Sequence, residues 1–237
     1  LPLEKSGSAG VHLSFGAARR DDPIKDFPLL IESLGRFKEL DPALADSSVI
    51  TLFGDIKDAT LLERIPIRCD YRGMIRSQKE IVDLYRKADI VISTSRYETL
   101  PGTLIEGQAC GCWPIALDSG GQPDIITDGV TGSLLRLTKS DMSDMSDKSD
   151  MSDMSDKSDM SDNSDNSDNS DNSDNSDNSA TSDQSAKADL FARAIIDSAS
   201  LLQSDPLIPA RLRQAVIDNF SAPAIARRYI AILDAEA

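Results

Sequence analysis

The sequence predicts an α/β domain, a parallel sheet with helices on both faces, carrying a low-complexity insertion. Three observations carry this. Short apolar runs alternate with helical stripes across short connections. The runs around 89–93 and 114–117 are apolar almost throughout, as in strands covered on both faces. From Ser140 to Asn178 the chain is a perfect Ser-Asp-X repeat, run thirteen times, with X Met, Lys or Asn. Three regions follow. Residues 1–139 form the sheet core, 140–185 the insertion, and 186–237 a set of helices completing the same domain.

The elements follow in order. Val11 to Phe15 reads as a strand ending at Gly16. Phe27, Leu30, Ile31, Leu34 and Phe37 share one helical face. Val49 to Phe53 forms a second strand, stopped by Gly54. Residues 67–71, before Gly73, form a weaker third. Ser77 and Glu80 make a capping box, and Ile81, Leu84, Tyr85 and Ala88 line the helix it opens. A strand over 89–93, a helix over 102–110, a strand over 114–117 and a last strand over 132–137 complete the core. In the tail, Phe191, Ala194, Ile195, Ser198 and Leu202 form one stripe. Leu212, Ala215 and Val216 form a second, and Ser221 with Pro223 starts a third helix.

Composition narrows the function classes. The net charge of the 237 residues is −15, of which the repeat holds −11. The low isoelectric point therefore belongs to the repeat, and no basic face suggests nucleic acid. No run approaches the ~18–20 apolar residues of a membrane-spanning helix. The opening Leu-Pro-Leu-Glu-Lys is not a signal peptide and lacks an initiator Met, so the chain reads as a fragment or a processed product. Cys69, Cys110 and Cys112 are too few for a disulfide framework and read as reduced thiols of a cytoplasmic protein. Cys110-Gly-Cys112 lacks metal-binding spacing, so no metal is expected. His12, the only His, reads as a strand residue beside the core, and Arg227-Arg228 as a solvated face. The repeat reads as a tandem expansion tolerated in a surface loop. Its Ser and Asp favour turns and its charge opposes collapse. Weak cation binding or serial phosphorylation is the other reading.

Chemistry concentrates in the stretch from Ser95 to Pro114, between two buried strands and thus at the C-terminal edge of the sheet. Pro101-Gly102 opens a helix. The amides of Gly102, Thr103 and Leu104 are left for an anion such as phosphate. Glu98 precedes that terminus and Glu106 lies about one turn inside it. The two carboxylates either flank one pocket or merely complement the helix dipole. Spacing alone leaves both open.

The ordered series around these residues resembles the donor-binding motif of retaining glycosyltransferase family 4, also called glycosyltransferase group 1. Glu98 and Glu106 have seven residues between them. Ala109-Cys-Gly111-Cys-Trp-Pro114 follows, one residue longer than usual. Gly120-Gly121, Asp124 and Asp128-Gly-Val-Thr-Gly132 complete the series. Upstream, residues 15–34 are similar to the family's Gly-x-Arg…Lys-Gly segment. The resemblance spans about 11–137 and, more weakly, the tail helices. It implies the second, Rossmann-like domain of a GT-B enzyme, with the acceptor-binding domain outside this chain. It further implies a hexose transferred with retention from a nucleoside diphosphate-sugar donor to a glycan or lipid-linked acceptor, without a cofactor. It fits a cytoplasmic location peripheral to the inner face of a membrane.

Carried over residue by residue, Glu98 is the catalytic residue contacting the donor sugar, and Glu106 holds the ribose hydroxyls. Arg19 or Arg20, with Lys25, neutralises the diphosphate. Gly102, Thr103 and Leu104 offer amides, and Gly73, Met74 and Ile75 flank the base. Departures are Asp26 where the family has Gly, Gly107-Gln108 for Ala-Met, and the extra residue that lets Trp113 alter the pocket floor. With one cleft wall present, the chain alone is not expected to transfer sugar. A non-catalytic nucleotide-sugar-binding module and an inactive remnant are the competing readings. Deleting residues 140–185 should leave the melting temperature nearly unchanged. A thermal melt showing a drop of many degrees, or loss of soluble expression, would refute the dispensable loop.

Overall fold

A computed structural model of the chain describes residues 10–19, 22–56, 58–136 and 176–235. Most of the Ser-Asp-X repeat, and its expected disorder, lie outside the described residues, as does Arg20. The elements run β1 His12–Arg19, α1 Phe27–Leu40, α2 Pro42–Ser47, β2 Val49–Asp55, α3 Thr60–Glu63, β3 Arg68–Tyr71 and α4 Gln78–Lys87. They continue with β4 Ile90–Ser93, α5 Gly102–Ala109, β5 Trp113–Leu117 and β6 Ser133–Leu135. Three helices follow: α6 Ser176–Ser204, α7 Ile208–Phe220 and α8 Ala222–Ala235.

The six strands lie in the order β3-β2-β1-β4-β5-β6. Each neighbouring pair is parallel. The chain thus begins in the middle, winds out to β3, returns to β4 beside β1, and winds out the other way. Helices consequently cover both faces, and the predicted doubly covered parallel sheet is what forms. Alternation along each strand splits the core. Leu13, Phe15, Ile90, Ile92 and Ile115 face α1 and α6, meeting Leu30, Leu34, Phe37, Phe191 and Ile195. Val91 and Ala116 face the other way, toward Leu84, Tyr85, Leu104 and Ile126. The central strand β4 is buried on both faces, so it reads Ile-Val-Ile rather than apolar-polar.

Local chemistry sets the helix ends. The Asp26 side chain caps α1, and Ser77 caps α4 by accepting from the Glu80 amide at 3.4 Å. Arg86 and Lys87 close α4 at its negative end. Two short helices, α2 and α3, add to the elements expected from periodicity. For α2 the signal is local: Asp41 accepts from the Leu44 amide at 3.0 Å and Pro42 opens the helix. The helical tail begins at Ser176, ten residues before the boundary expected at 186. Ala186, Ala188, Ala192 and Ala194 further along it are strong helix formers. Among the described residues, no helix is long and apolar enough to cross a membrane.

Helix α6 seats Phe191 and Ile195, both fully buried, against α1 and the sheet. Arg36 of α1 pairs with Asp189 at its rim at 2.5 Å. Helix α6 is thus packed into the core beneath α1. Phe191→Ala should cost about 3–5 kcal/mol, the range for emptying a buried aromatic site. Chemical denaturation would detect this as a lowered midpoint with an unchanged slope.

Candidate ligand site

Because β1 and β4 are adjacent and parallel, with Leu13 opposite Ile90, their C-terminal loops emerge side by side. The β1 loop is closed on itself by the Lys25 amide donating to the Asp22 carbonyl at 2.9 Å. The β4 loop is stitched to it. The buried Thr94 hydroxyl lies 2.8 Å from the Lys25 carbonyl and 3.0 Å from that of Asp26. The Arg96 amide donates to the Ile24 carbonyl at 2.8 Å. From the other side comes the loop after β5. Ser119 Oγ donates to the Arg96 carbonyl at 2.5 Å, and the Gly121 amide to the Glu98 carbonyl at 2.6 Å. Two loops thus hold residues 94–98 of the third.

The Gly120-Gly121 pair makes that contact possible. Gly120 has φ +58°. A Cβ on Gly121 would stand 1.9 Å from the Thr99 carbonyl oxygen. No side chain fits between the two backbones. The Gly107 departure has a similar explanation, since a Cβ there would meet Val91 Cγ1 at 2.8 Å. Gln108 beside it donates to the Thr131 carbonyl at 2.8 Å, fixing the turn before β6.

Within this frame Lys25 Nζ and a Glu98 carboxylate oxygen form a direct ion pair, with side chains only 24% and 20% exposed. Two expected site residues 73 positions apart are therefore brought together. Helix α5 starts shortly after, at Gly102, behind Pro101 and with no side-chain cap. Among the described residues nothing accepts from the Gly102 and Thr103 amides. The expectation for Leu104 is corrected: its amide donates to the Pro101 carbonyl at 3.1 Å, and its side chain is fully buried. Tightening of the first turn uses that donor internally.

Glu106 sits one turn into α5, and loss of solvent pushes its carboxyl above the usual carboxylate range. It lies near Tyr85 of α4. The Tyr85 phenol is pushed well up, mainly by burial and further by the Glu106 charge. Tyr85, legible in the sequence only as a stripe residue, is therefore an unexpected neighbour of the site. Its helical periodicity matches a core position, so nothing in the sequence marks it. Gly73, Met74 and Ile75 follow β3 at the sheet edge. Met74 is exposed, while Ile75 is partly buried against α4. Ile75 also lines a cavity of about 120 Å3 between α4 and the β1–β3 face, whose walls include His12, Thr51 and Arg72 but neither Lys25 nor Glu98. Arg19 ends β1 with its backbone opposite Asp55.

Two other expectations are settled by position. Trp113 begins β5 opposite Ile90, at the N-terminal end of the strands. It cannot shape the floor of a pocket at the C-terminal edge. It is 3% exposed, and its Nε1 donates to Ser133 Oγ at 2.9 Å. Beside it, the Cys112 thiol is buried and donates to the Tyr85 carbonyl at 3.0 Å, so the extra residue is absorbed in the core. His12 is structural: its amide donates to Asp89 Oδ2 at 2.9 Å and its Nε2 lies 2.7 Å from Thr51 Oγ1.

The site also contains residues that no motif marked. Gln122 is fully buried and donates from Nε2 to the Ser95 carbonyl at 3.2 Å. Its Oε1 has no hydrogen-bond partner among the described residues. Arg96 pairs with Asp26 at 2.8 Å. Ile24, Tyr97 and Leu100 leave apolar surface exposed around the ion pair.

The family model described as Glycosyl transferases group 1 matches residues 15–152. The D-inositol 3-phosphate glycosyltransferase of Streptomyces bingchenggensis (strain BCW-1) is 30% identical over 128 residues, which are 50% of this chain and 28% of that enzyme. The chain thus matches less than a third of that curated relative. Among solved structures, the apo lipopolysaccharide outer core galactosyltransferase WaaB superposes with a TM-score of 0.63 at 14% identity, over 99% of this chain and 52% of that one. The pneumococcal O-GlcNAc transferase GtfA, in complex with UDP and GlcNAc, gives 0.58 at 16% identity, over 94% of this chain and 35% of that one. These likenesses establish a shared fold.

Gly121→Ala should lower stability by about 1–3 kcal/mol, because backbone must move to admit the methyl group. Gly35→Ala, with open space in the middle of α1, should leave stability unchanged or raise it by about 0.5–1 kcal/mol. Paired thermal melts of the two variants check the close-approach argument.

Proposed function

The chain belongs to the glycosyl transferases group 1 family, and from that premise we propose that it is the donor-binding domain of a nucleotide-sugar-dependent hexosyltransferase. One observation carries the reading: Lys25 and Glu98 pair across the β1/β4 junction, shortly before the uncapped start of α5. A cation, unsatisfied amides and a carboxylate in one place suit a ligand with a diphosphate next to hydroxyls. On this reading Lys25, the Gly102 and Thr103 amides and Arg19 or Arg20 receive the diphosphate. Glu106 accepts from ribose hydroxyls, Glu98 contacts the donor sugar, and residues 73–75 flank the base.

In the transfer, the bond from the anomeric carbon to the β-phosphate oxygen breaks. A bond to an acceptor hydroxyl oxygen forms on the same face, negative charge develops on the departing nucleoside diphosphate, and the hydroxyl proton passes to a phosphate oxygen of that leaving group. Lys25 and the amides stabilise that charge where it develops. The ion pair with Glu98 holds Lys25 in the site beforehand, and the donor then takes over as partner to both groups. A second wall, from an acceptor-binding domain, brings a glycan or lipid-linked hydroxyl against the donor. The names of curated relatives add a phosphorylated polyol to the acceptor classes worth assaying. Location at the inner face of a membrane is part of the same proposal.

Glu106→Gln should weaken nucleoside diphosphate and free nucleoside alike, since both carry the ribose. Lys25→Ala should weaken the diphosphate about tenfold, the nucleoside little, and the difference should shrink at high salt. Calorimetry with both ligands at two salt concentrations checks this. Identical losses for both ligands in Lys25→Ala would end the phosphate assignment.

A further inference from the structure

Asp26 is the only non-glycine residue with positive φ among the described residues, at φ 46° and ψ 56°. Most side chains disfavour that conformation, Asp less than most. Something at Asp26 therefore offsets the conformation. Its carboxylate is 9% exposed and serves two partners. Oδ1 accepts from the Leu29 amide at 3.3 Å, capping α1. Oδ2 accepts from Arg96 Nε at 2.8 Å. A glycine here could make neither contact.

The consequence falls on Arg96. Its backbone is fixed on both sides, by Ile24 and by Ser119. Its Nε is fixed by Asp26, yet the side chain is 52% exposed. No partner holds its terminal nitrogens among the described residues. The guanidinium is thus anchored along one edge and open along the other. It stands two residues before Glu98, on the loop that carries the Lys25 ion pair. A planar fork held by one nitrogen and free at the others is preorganised to receive a second anion.

The geometry points to Arg96 as a further diphosphate-binding residue, with Asp26 as the positioning residue that orients it. This rests on the nucleotide-sugar reading above. It adds a further source of positive charge beside Lys25, Arg19 or Arg20, and the α5 amides. It also explains the Asp in place of the family's Gly, since Asp26 fixes a cation instead of merely adding negative charge near phosphate.

Calorimetry on the full chain with UDP, GDP and ADP, each beside its nucleoside, tests this. In Arg96→Gln the best-bound diphosphate should lose about tenfold in affinity while its nucleoside is unchanged. Arg96→Lys, which keeps the charge but not the fork, should fall between wild type and Arg96→Gln. Asp26→Asn keeps a capping oxygen and a residue type tolerant of positive φ. It should lose about threefold on the diphosphate alone, and add nothing in the Arg96→Gln background. A gain in diphosphate affinity in Asp26→Asn would mean simple repulsion and overturn the positioning role. Diphosphate affinity untouched by Arg96→Gln, or equal losses on nucleoside and diphosphate, would overturn the inference and leave the nucleotide reading standing. A wild-type chain that binds none of the three diphosphates would overturn that reading, and this inference with it.

Discussion

Everything at the candidate site depends on β1 and β4 lying side by side in parallel. Parallel neighbours send their C-terminal loops out of the same edge. The connections that follow, toward α1 and α5, leave to opposite faces of the sheet. A crevice is forced open between them, and it opens nowhere else in the sheet because elsewhere consecutive strands are neighbours. Lys25 and Glu98 meet there although 73 residues separate them. The hydrophobic core fixes the position. Leu13 and Ile90 are fully buried, so the two strands cannot slip without exposing both apolar faces.

The crevice is then made rigid by backbone contacts. Residues 94–98 are bonded to the β1 loop by Thr94 and Arg96, and to the β5 loop by Ser119 and Gly121. These are bonds to main-chain carbonyls, which hold a loop without using the side chains a ligand needs. Glycines 120 and 121 serve the same end by letting one backbone lie directly on another. The outcome is a loop whose candidate ligand-binding side chains, Arg96 and Glu98, project from a fixed base.

The Lys25–Glu98 pair has a second meaning in this setting. Each side chain is roughly one-fifth to one-quarter exposed, so both charges have lost much of their water. A pair in such a place contributes little net stability, because desolvation offsets attraction. Its physical effect is orientation. Without a ligand, the two groups satisfy each other. A ligand with an anionic part and a hydroxyl-bearing part can satisfy both at once, which makes the exchange a matter of substituted partners rather than newly buried charge.

Periodicity in the sequence determined the strands, the main helices and the two-sided burial of β4 and β5, because alternation and the 3.6-residue repeat are local properties of the chain. The α5 start was legible for the same reason, from Pro101-Gly102. So was the placing of Glu98 and Glu106 around it. Local signals fail where they are weak or mimic something else. Asp41-Pro42 is a helix start with no long apolar stripe behind it, and Ser176–Ser185 has the composition of the repeat although it lies in α6. Tertiary structure alone decided which charges meet. Lys25 and Glu98, or Asp26 and Arg96, have no sequence relation that distinguishes them from other acid–base pairs in the chain. It also decided that Trp113 belongs to the far end of the sheet, and that the Tyr85 phenol feels the Glu106 charge. Strand order and loop closure set those distances, and neither is written in any local stretch of residues.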